Sequence, residues 1–205
     1  MKKQPRSNSG STASDIVPDI PIRIACFGDS LTEGYGLRPD EALPVILERM
    51  LREDGIRNTC LNYGVSGDTS GDGLRRITEV IEASPDAIIV EFGANDSFMG
   101  EPVEAISRNF TTIIEALIEL KAPILLVGIS AFTDFGQDYK EEFDPLFQEL
   151  ADKYDLPLFP DILSCYFGDS TMTLMDGMHP NEKGVEAIAR GLFPQVKDLA
   201  EKATR

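Results

Sequence analysis

Apolar and polar residues follow one another along the chain in blocks that predict strands and helices in turn. Five short apolar runs predict β-strands, at residues 22–27, 59–63, 87–92, 124–129 and 156–159. Between them, apolar residues recur every three or four positions, as they do on one face of a helix, over 42–53, 70–83, 103–120, 139–154 and 181–202. The chain therefore alternates strand and helix from its first predicted strand to its end.

This alternation indicates a three-layer α/β domain built on a parallel sheet. The run at 87–92 is apolar almost throughout, which parallel strands need when helices cover both faces of the sheet. We expect a flavodoxin-like sandwich whose five-stranded parallel sheet has the order 2-1-3-4-5. Residues 21–205 are expected to form this single domain. Residues 1–20 are expected to be a disordered tail, because they hold too few apolar side chains to offset their ordering entropy.

Composition narrows the possible partners and cofactors. With 19 basic and 35 acidic residues the formal charge is −16, which disfavours nucleic acid and anionic membranes and favours a small neutral or zwitterionic substrate. Cys26, Cys60 and Cys165 are widely spaced and form no CxxC pair, so neither a disulfide framework nor a zinc site is indicated. The chain has a single histidine, and we expect neither a metal nor a cofactor.

Targeting features point to a cytoplasmic protein as the sequence is written. The basic start of the chain is followed by Ser, Asn, Gly and Thr instead of the apolar stretch of a signal peptide. A periplasmic or secreted location is the alternative if the N-terminus is truncated. The sequence contains no apolar run of about 18 residues, so no membrane span is expected.

A candidate nucleophile stands directly after the first predicted strand. Ser30 lies in Gly28-Asp29-Ser30-Leu31, at the carboxyl end of a strand, where open parallel sheets form their ligand crevice. A serine nucleophile needs a base, and the single histidine is His179. Asp176 precedes it by three residues and is close enough in the chain to reach its Nδ1–H. The alternative is that Ser30 and Asp176 cap turns and His179 is a surface residue.

Two further residues are candidates for stabilising an oxyanion. Gly67 follows the second strand and Asn95 follows the third, and in the order 2-1-3 both loops flank Ser30. The backbone N–H of Ser30, the backbone N–H of Gly67 and the amide of Asn95 can therefore converge on one point. In the alternative reading, Gly67 supplies a positive φ and Asn95 caps a turn.

Four motifs together resemble the SGNH (GDSL) hydrolase family. In chain order they are Gly28-Asp29-Ser30-Leu31, Ser66-Gly67-Asp68-Thr69-Ser70, Gly93-Ala94-Asn95-Asp96 and Asp176-Gly177-Met178-His179-Pro180. Within the family the chain is similar to the bacterial arylesterases and the multifunctional thioesterase, protease and lysophospholipase enzymes. The resemblance implies that Ser30 is the nucleophile, His179 its base and Asp176 the acid that orients the base. It also implies an oxyanion hole made by Ser30, Gly67 and Asn95.

The expected function is therefore hydrolysis of small or acyl-chain esters or thioesters through a covalent acyl-enzyme, with carbohydrate O-deacetylation as the alternative. Leu37, Phe132, Phe135 and Met178 lie in segments that should overhang the strand ends, where they would line the substrate pocket; filling of the core is the other reading. A flavodoxin-like cofactor binder lacks support, since neither a P-loop nor a GxGxxG follows the first strand. A catalytically inactive binding module would have lost part of these motifs.

Overall fold

The computed structural model describes residues 20–132 and 135–203, so nearly all of the predicted tail at 1–20 lies outside the described residues. The strands are β1 (Ile22–Gly28), β2 (Asn58–Gly64), β3 (Ala87–Glu91), β4 (Ile124–Val127) and β5 (Leu158–Phe159). The helices are α1 (Ser30–Glu33), α2 (Leu43–Glu53), α3 (Ser70–Ala83), α4 (Ala94–Met99), α5 (Val103–Ile118), α6 (Gln137–Phe143), α7 (Leu146–Tyr154) and α8 (Glu182–Ala203). Short 3₁₀ turns occur at Pro39–Glu41 and Ile162–Cys165.

The five strands form one parallel sheet in the order β2-β1-β3-β4-β5, which confirms the predicted topology. β1 lies between β2 and β3, and its last residue, Gly28, is paired with Gly64 on one side and Glu91 on the other. The carboxyl ends of these three strands are therefore level with one another. The turns that follow them open at the same edge of the sheet.

Helices cover the sheet, and their apolar faces supply the core. α2 packs against α8, and α5 packs against both α3 and α7. Aromatic side chains interlock beside β1 and β3, where the fully buried rings of Phe27 and Phe92 meet edge to face at 4.9 Å. Among the described helices, none is long and apolar enough to cross a membrane.

The helix predicted over 139–154 is two helices, α6 and α7. Pro145 immediately precedes α7, and Asp144 ends α6. Asp144 and Pro145 both keep helical backbone angles, but proline has no backbone N–H to continue the series of helical hydrogen bonds, so the series is interrupted between the two segments. The Asp144 side chain accepts a hydrogen bond from the backbone N–H of Ala131. This bond connects the junction of the two helices to the loop after β4.

Two glycines on α3 offer a matched test of the packing between helix and sheet. A methyl group at Gly73 would lie 2.6 Å from Cζ of the buried Phe92 ring, whereas one at Gly71 would come no closer than 3.4 Å to Asn109 Nδ2. We expect Gly73→Ala to lower the free energy of unfolding by about 1–3 kcal/mol because the core cannot move aside. Gly71→Ala should leave it unchanged or raise it by up to about 1 kcal/mol. Urea unfolding measures both, and equal effects would contradict the packing.

Candidate active site

Ser30 is the first residue of α1, immediately beyond the buried end of β1. The side chain of Asp29 caps this short helix by accepting the backbone N–H of Leu31 at 3.0 Å. Ser30 itself is only 7% exposed, so its hydroxyl meets solvent through a narrow opening. The strand-to-helix turn therefore fixes the hydroxyl at the edge of the sheet where the strands end.

His179 and Asp176 reach Ser30 from the loop before α8. The His179 Nε2 atom lies 3.1 Å from Ser30 Oγ, and Nδ1 lies 2.7 Å from Asp176 Oδ2. The other Asp176 oxygen accepts the backbone N–H groups of Met178 and His179 at 2.9 and 3.0 Å. Partial burial opposes ionisation of this carboxyl, but the bonds from Met178 and His179 hold the pKa of Asp176 below its ordinary value. Asp176 is thus an ionised acceptor for the imidazole N–H.

Contacts from three directions hold the loop that carries His179. The backbone N–H of Leu174 donates to the carbonyl of His179 at 2.8 Å, and the Tyr166 hydroxyl donates to the carbonyl of Met178 at 3.0 Å. The Tyr35 ring lies against the imidazole, with ring centroids 4.4 Å apart and a tilt of 38°. Orientation of the imidazole therefore depends on backbone bonds and a ring contact as well as on Asp176.

The candidate oxyanion donors lie on loops at the ends of β2 and β3, on either side of β1. Gly67 has φ of +87°, in the left-handed region that favours glycine. Asn95 lies in the first turn of α4, and its Nδ2 donates to the carbonyl of Asp68 at 2.8 Å and to Asp29 Oδ2 at 3.3 Å. The Asn95 amide thus bridges the loop after β2 to the turn that carries Ser30.

An additional clamp holds the loop that contains Gly67. The Glu33 carboxylate, at the end of α1, accepts the backbone N–H of Ser66 at 2.8 Å and also the Ser66 hydroxyl. On the other side of the loop, Arg76 donates to Asp68 at 2.6 Å. These contacts fix the residues before and after Gly67 to α1 and α3. They are features that sequence analysis did not identify.

A cavity of about 190 Å³ opens beside Ser30 and His179. Its walls are mostly apolar and are formed by Ser30, Leu31, Ala94, Asn95, Phe98, Phe132, Leu163, Tyr166, Met178 and His179. The structure thus brings Phe132 and Met178 to Ser30. The other two residues predicted for the pocket lie elsewhere: Leu37 lines a separate groove with Tyr35, and Phe135 packs against Tyr139 and Gly100.

Five wall residues were not predicted from the sequence: Leu31 and Ala94, which adjoin Ser30 and Asn95 in the chain, and Phe98, Leu163 and Tyr166. Phe98 is three positions after Asn95 on α4, and residues at that spacing share one helix face. Leu163 and Tyr166 belong to the 3₁₀ turn after β5 and to the residue that ends it. Phe98 could have been found once a helix was assigned after Asn95. The 3₁₀ turn has no apolar periodicity that would have marked it. Thr133 and Asp134, which stand between the predicted pocket residues Phe132 and Phe135 in the sequence, lie outside the described residues.

Two carboxyl groups are buried behind Ser30. Burial raises the pKa of Asp29 to about 7; the Leu31 N–H opposes this rise, and the charges of Asp96 and Asp68 add to it. Glu91, at the end of β3, is also fully enclosed, and burial together with the charge of Asp29 raises its pKa well above the ordinary value. Its Oε2 accepts the Thr32 hydroxyl at 2.7 Å, and Oε1 has no hydrogen-bond partner within the described part of the chain. Complete burial without a basic partner therefore favours the protonated form of Glu91.

No group of three or more His, Cys, Asp or Glu residues suited to a metal ion occurs within residues 20–132 and 135–203. A larger cavity, of about 440 Å³, lies at the amino ends of β4 and β5, far from Ser30. Its walls include Lys121, Asp155 and Gln195 but no histidine. Of these two cavities, the smaller one is therefore the candidate active site, because it has a base beside a nucleophile.

Comparisons with known proteins agree with the four motifs. Residues 26–187 match the profile of the GDSL-like Lipase/Acylhydrolase family. The arylesterase of Vibrio mimicus is 29% identical over 168 residues, covering 82% of this chain and 84% of that protein. Thioesterase 1/protease 1/lysophospholipase L1 of Escherichia coli (strain K12) is 28% identical over 174 residues, covering 84% and 82%. The solved structure of AlinE4, an SGNH-hydrolase family esterase, is 38% identical, with a TM-score of 0.74 over 87% of this chain and 96% of that one.

The buried state of Glu91 predicts a pH dependence of stability. The unfolded chain releases this proton near the ordinary pKa of 4.5, whereas the folded chain retains it to higher pH. The contribution of Glu91 to the free energy of unfolding is therefore greatest at low pH and is lost as the pH rises towards the folded pKa. We expect Glu91→Gln, which is neutral at every pH, to show a shallower loss of unfolding free energy from about pH 5 to 8. Some pH dependence of the unfolding free energy should remain in this variant, because the pKa of Asp29 is also raised.

The matched control is Glu104→Gln, at a side chain that is 87% exposed. Its stability curve should run parallel to that of the unmodified protein, because its carboxyl group is exposed to solvent in the folded chain as well as in the unfolded one. Chemical denaturation at several pH values provides the measurement. If the Glu91→Gln curve also ran parallel, Glu91 would not be protonated in the folded state.

Proposed function

The chain belongs to the GDSL-like Lipase/Acylhydrolase family, and we propose that Ser30 is the nucleophile with which it hydrolyses carboxylic esters. The observation that carries the proposal is the hydrogen-bonded series from Ser30 Oγ through the imidazole of His179 to Asp176. An imidazole between a hydroxyl and a carboxylate activates serine, because it accepts the hydroxyl proton as the new bond forms. Asp176 stabilises the resulting imidazolium.

The reaction has two halves that share these groups. In the first, Ser30 Oγ bonds to the carbonyl carbon while its proton moves to His179 Nε2; the tetrahedral intermediate then collapses, and the alcohol or thiol leaves with that proton. In the second, His179 takes a proton from water as the water oxygen attacks the acyl-enzyme. Collapse of this intermediate returns the proton to Ser30 Oγ and releases the carboxylic acid. No redox partner is consumed.

The oxyanion of each intermediate is proposed to be stabilised by the backbone N–H groups of Ser30 and Gly67 and by the side chain of Asn95. Support comes from the placement of these groups at the ends of β1, β2 and β3. The Asn95 amide already donates to Asp68 and, at the longer distance of 3.3 Å, to Asp29. We infer that the substrate oxygen replaces Asp29 as acceptor, while the bond to Asp68 keeps the amide in place.

The apolar cavity beside Ser30 is proposed to hold the acyl group, with Phe132 and Met178 among its walls. Its volume of about 190 Å³ is close to that of an engineered apolar cavity, about 150 Å³, that binds benzene. A small acyl group therefore fits inside, and a longer chain must extend past Phe98 towards solvent. Carbohydrate O-deacetylation uses the same chemistry with an acetyl group, so comparing p-nitrophenyl acetate with an acetylated sugar separates the two substrate classes.

A covalent label tests the nucleophile. A fluorophosphonate should modify the protein once, and Ser30→Ala should abolish both labelling and hydrolysis of p-nitrophenyl acetate. Ser130→Ala is the control, since the Ser130 hydroxyl bonds directly to a carboxylate, Asp161 Oδ2 at 2.7 Å, and not to an imidazole. It should remain labelled and active. Intact-mass spectrometry reports the modification, and a label retained by Ser30→Ala would remove Ser30 from the mechanism.

Replacing Asn95 separates an oxyanion role from a structural one. We expect Asn95→Ala to lower kcat by about a hundredfold to a thousandfold with little change in KM, since the amide acts mainly on the transition state. Asn109→Ala is the control: that amide donates to Ser70 Oγ at 3.0 Å, so its loss should lower Tm and spare kcat per folded molecule. Steady-state kinetics and thermal unfolding are measured for both. A normal kcat in Asn95→Ala would leave Ser30 and Gly67 as the proposed donors.

A further inference from the structure

Four exposed apolar side chains lie on segments that adjoin the cavity wall. Phe98 is 51% exposed, Met99 57%, Phe135 49% and Phe167 45%, and we refer to these four residues as the apolar rim. Single exposed apolar residues are normal on soluble proteins, but contiguous ones mark sites that contact a partner, a ligand or a lipid surface. The rim therefore needs an explanation beyond ordinary surface composition.

The rim is joined to the cavity wall. The rings of Phe98 and Phe167 both contact Phe132, edge to face, at centroid distances of 6.3 and 5.8 Å. Phe135 packs on Gly100, the residue after Met99, so closely that a methyl group there would lie 2.5 Å from the ring. The four side chains thus come from three separate segments, two of which contact the wall residue Phe132 and the third of which packs on the residue after Met99.

The charge of the surrounding segments indicates what kind of surface the rim can contact. Residues 94–101, 163–167 and 174–179, together with Phe132 and residues 135–139, contain no Lys or Arg. They do contain Asp96, Glu101, Asp138 and Asp176, and the whole chain carries a formal charge of −16. An anionic bilayer would repel such a surface, because binding to it depends on basic residues. A neutral or zwitterionic lipid surface carries no such penalty.

We propose that the apolar rim docks the protein on neutral or zwitterionic lipid assemblies, with the cavity mouth facing the lipid. Transfer of Met, Phe and similar side chains from water to the acyl region of a lipid surface lowers the free energy. A protein partner seated on the rim would cover the cavity mouth. A lipid surface supplies molecules to it instead, so it is the occupant compatible with access to Ser30. The choice of lipid as the occupant rests on the proposed role of Ser30, whereas the binding of vesicles itself requires no catalysis.

Co-sedimentation with sucrose-loaded phosphatidylcholine vesicles tests the proposal. The full chain carrying Ser30→Ala is used, so that lipid is not consumed and the result does not depend on hydrolysis. We expect binding to phosphatidylcholine that weakens as phosphatidylglycerol is added. A triple variant of the three rim residues outside the cavity wall, Met99→Ser, Phe135→Ser and Phe167→Ser, should lower the partition coefficient at least about tenfold, which corresponds to about 1.4 kcal/mol.

The matched control removes exposed apolar side chains elsewhere. Val45→Ser with Ile118→Ser changes two residues that are 40% and 39% exposed on α2 and α5, and it should bind vesicles like the parent. With Ser30 restored, the triple variant should keep its Tm within a few degrees and hydrolyse p-nitrophenyl acetate normally. Should the triple variant fail to fold, Met99→Ser and Phe167→Ser alone should each weaken vesicle binding measurably.

Three outcomes would overturn the proposal. The first is no binding to phosphatidylcholine vesicles. The second is binding that grows with phosphatidylglycerol, which would mean that basic residues elsewhere contact the membrane. The third is self-association in sedimentation equilibrium that the triple variant abolishes, which would make a second copy of the chain the occupant. Loss of ester hydrolysis with vesicle binding retained would contradict the proposed function only.

Discussion

Gly28 pairs with Glu91 across β1 and β3, and a methyl group at Gly28 would lie 2.2 Å from Thr32 Oγ1 and 2.6 Å from the Glu91 carboxyl group. The missing side chain gives room for a hydroxyl and a carboxyl group directly under the turn that carries Ser30. The Thr32 hydroxyl donates to Glu91, and Asp29 caps α1. These two hydrogen bonds hold the residues on either side of Ser30 in place. The position of the Ser30 hydroxyl, and with it the distance from Ser30 to His179, depends on this close approach.

The base and its acid are positioned in a different way, because both belong to one short loop. Asp176 and His179 are three residues apart, and the carboxylate also accepts two backbone N–H groups of the same loop. Their mutual geometry is thus local and needs little help from the rest of the fold. The contact that joins two distant parts of the chain is the one between His179 and Ser30, which are 149 positions apart. Tyr166 and Tyr35 support that contact by holding the loop and the imidazole ring.

The sheet order and the candidate residues Ser30, Asp176 and His179 could be predicted because each depends on local spacing or on strand alternation. The cavity wall could not be predicted as well, since Phe98 and Leu163 reach it through a short helix and a 3₁₀ turn that leave weak periodic patterns. Leu37 was expected to overhang the strand ends but lies in another groove, because the turn Gly34–Gly36, with two positive φ values, bends the chain away. The raised pKa of Glu91 results from its complete burial, which no local sequence pattern reveals.

The cavity wall divides into two parts with different sequence constraints. Leu31 and Ala94 adjoin Ser30 and Asn95 in the chain, so a change in their backbone would disturb the proposed catalytic groups. Phe132 lies in the loop after β4 and Leu163 in the 3₁₀ turn Ile162–Cys165, and neither of these two segments contains a proposed catalytic residue. Mutation can therefore reshape this second part while the reactive groups stay in place. Related enzymes can diverge in acyl preference through these two segments without first losing activity, which is one route by which a single fold comes to serve many esters.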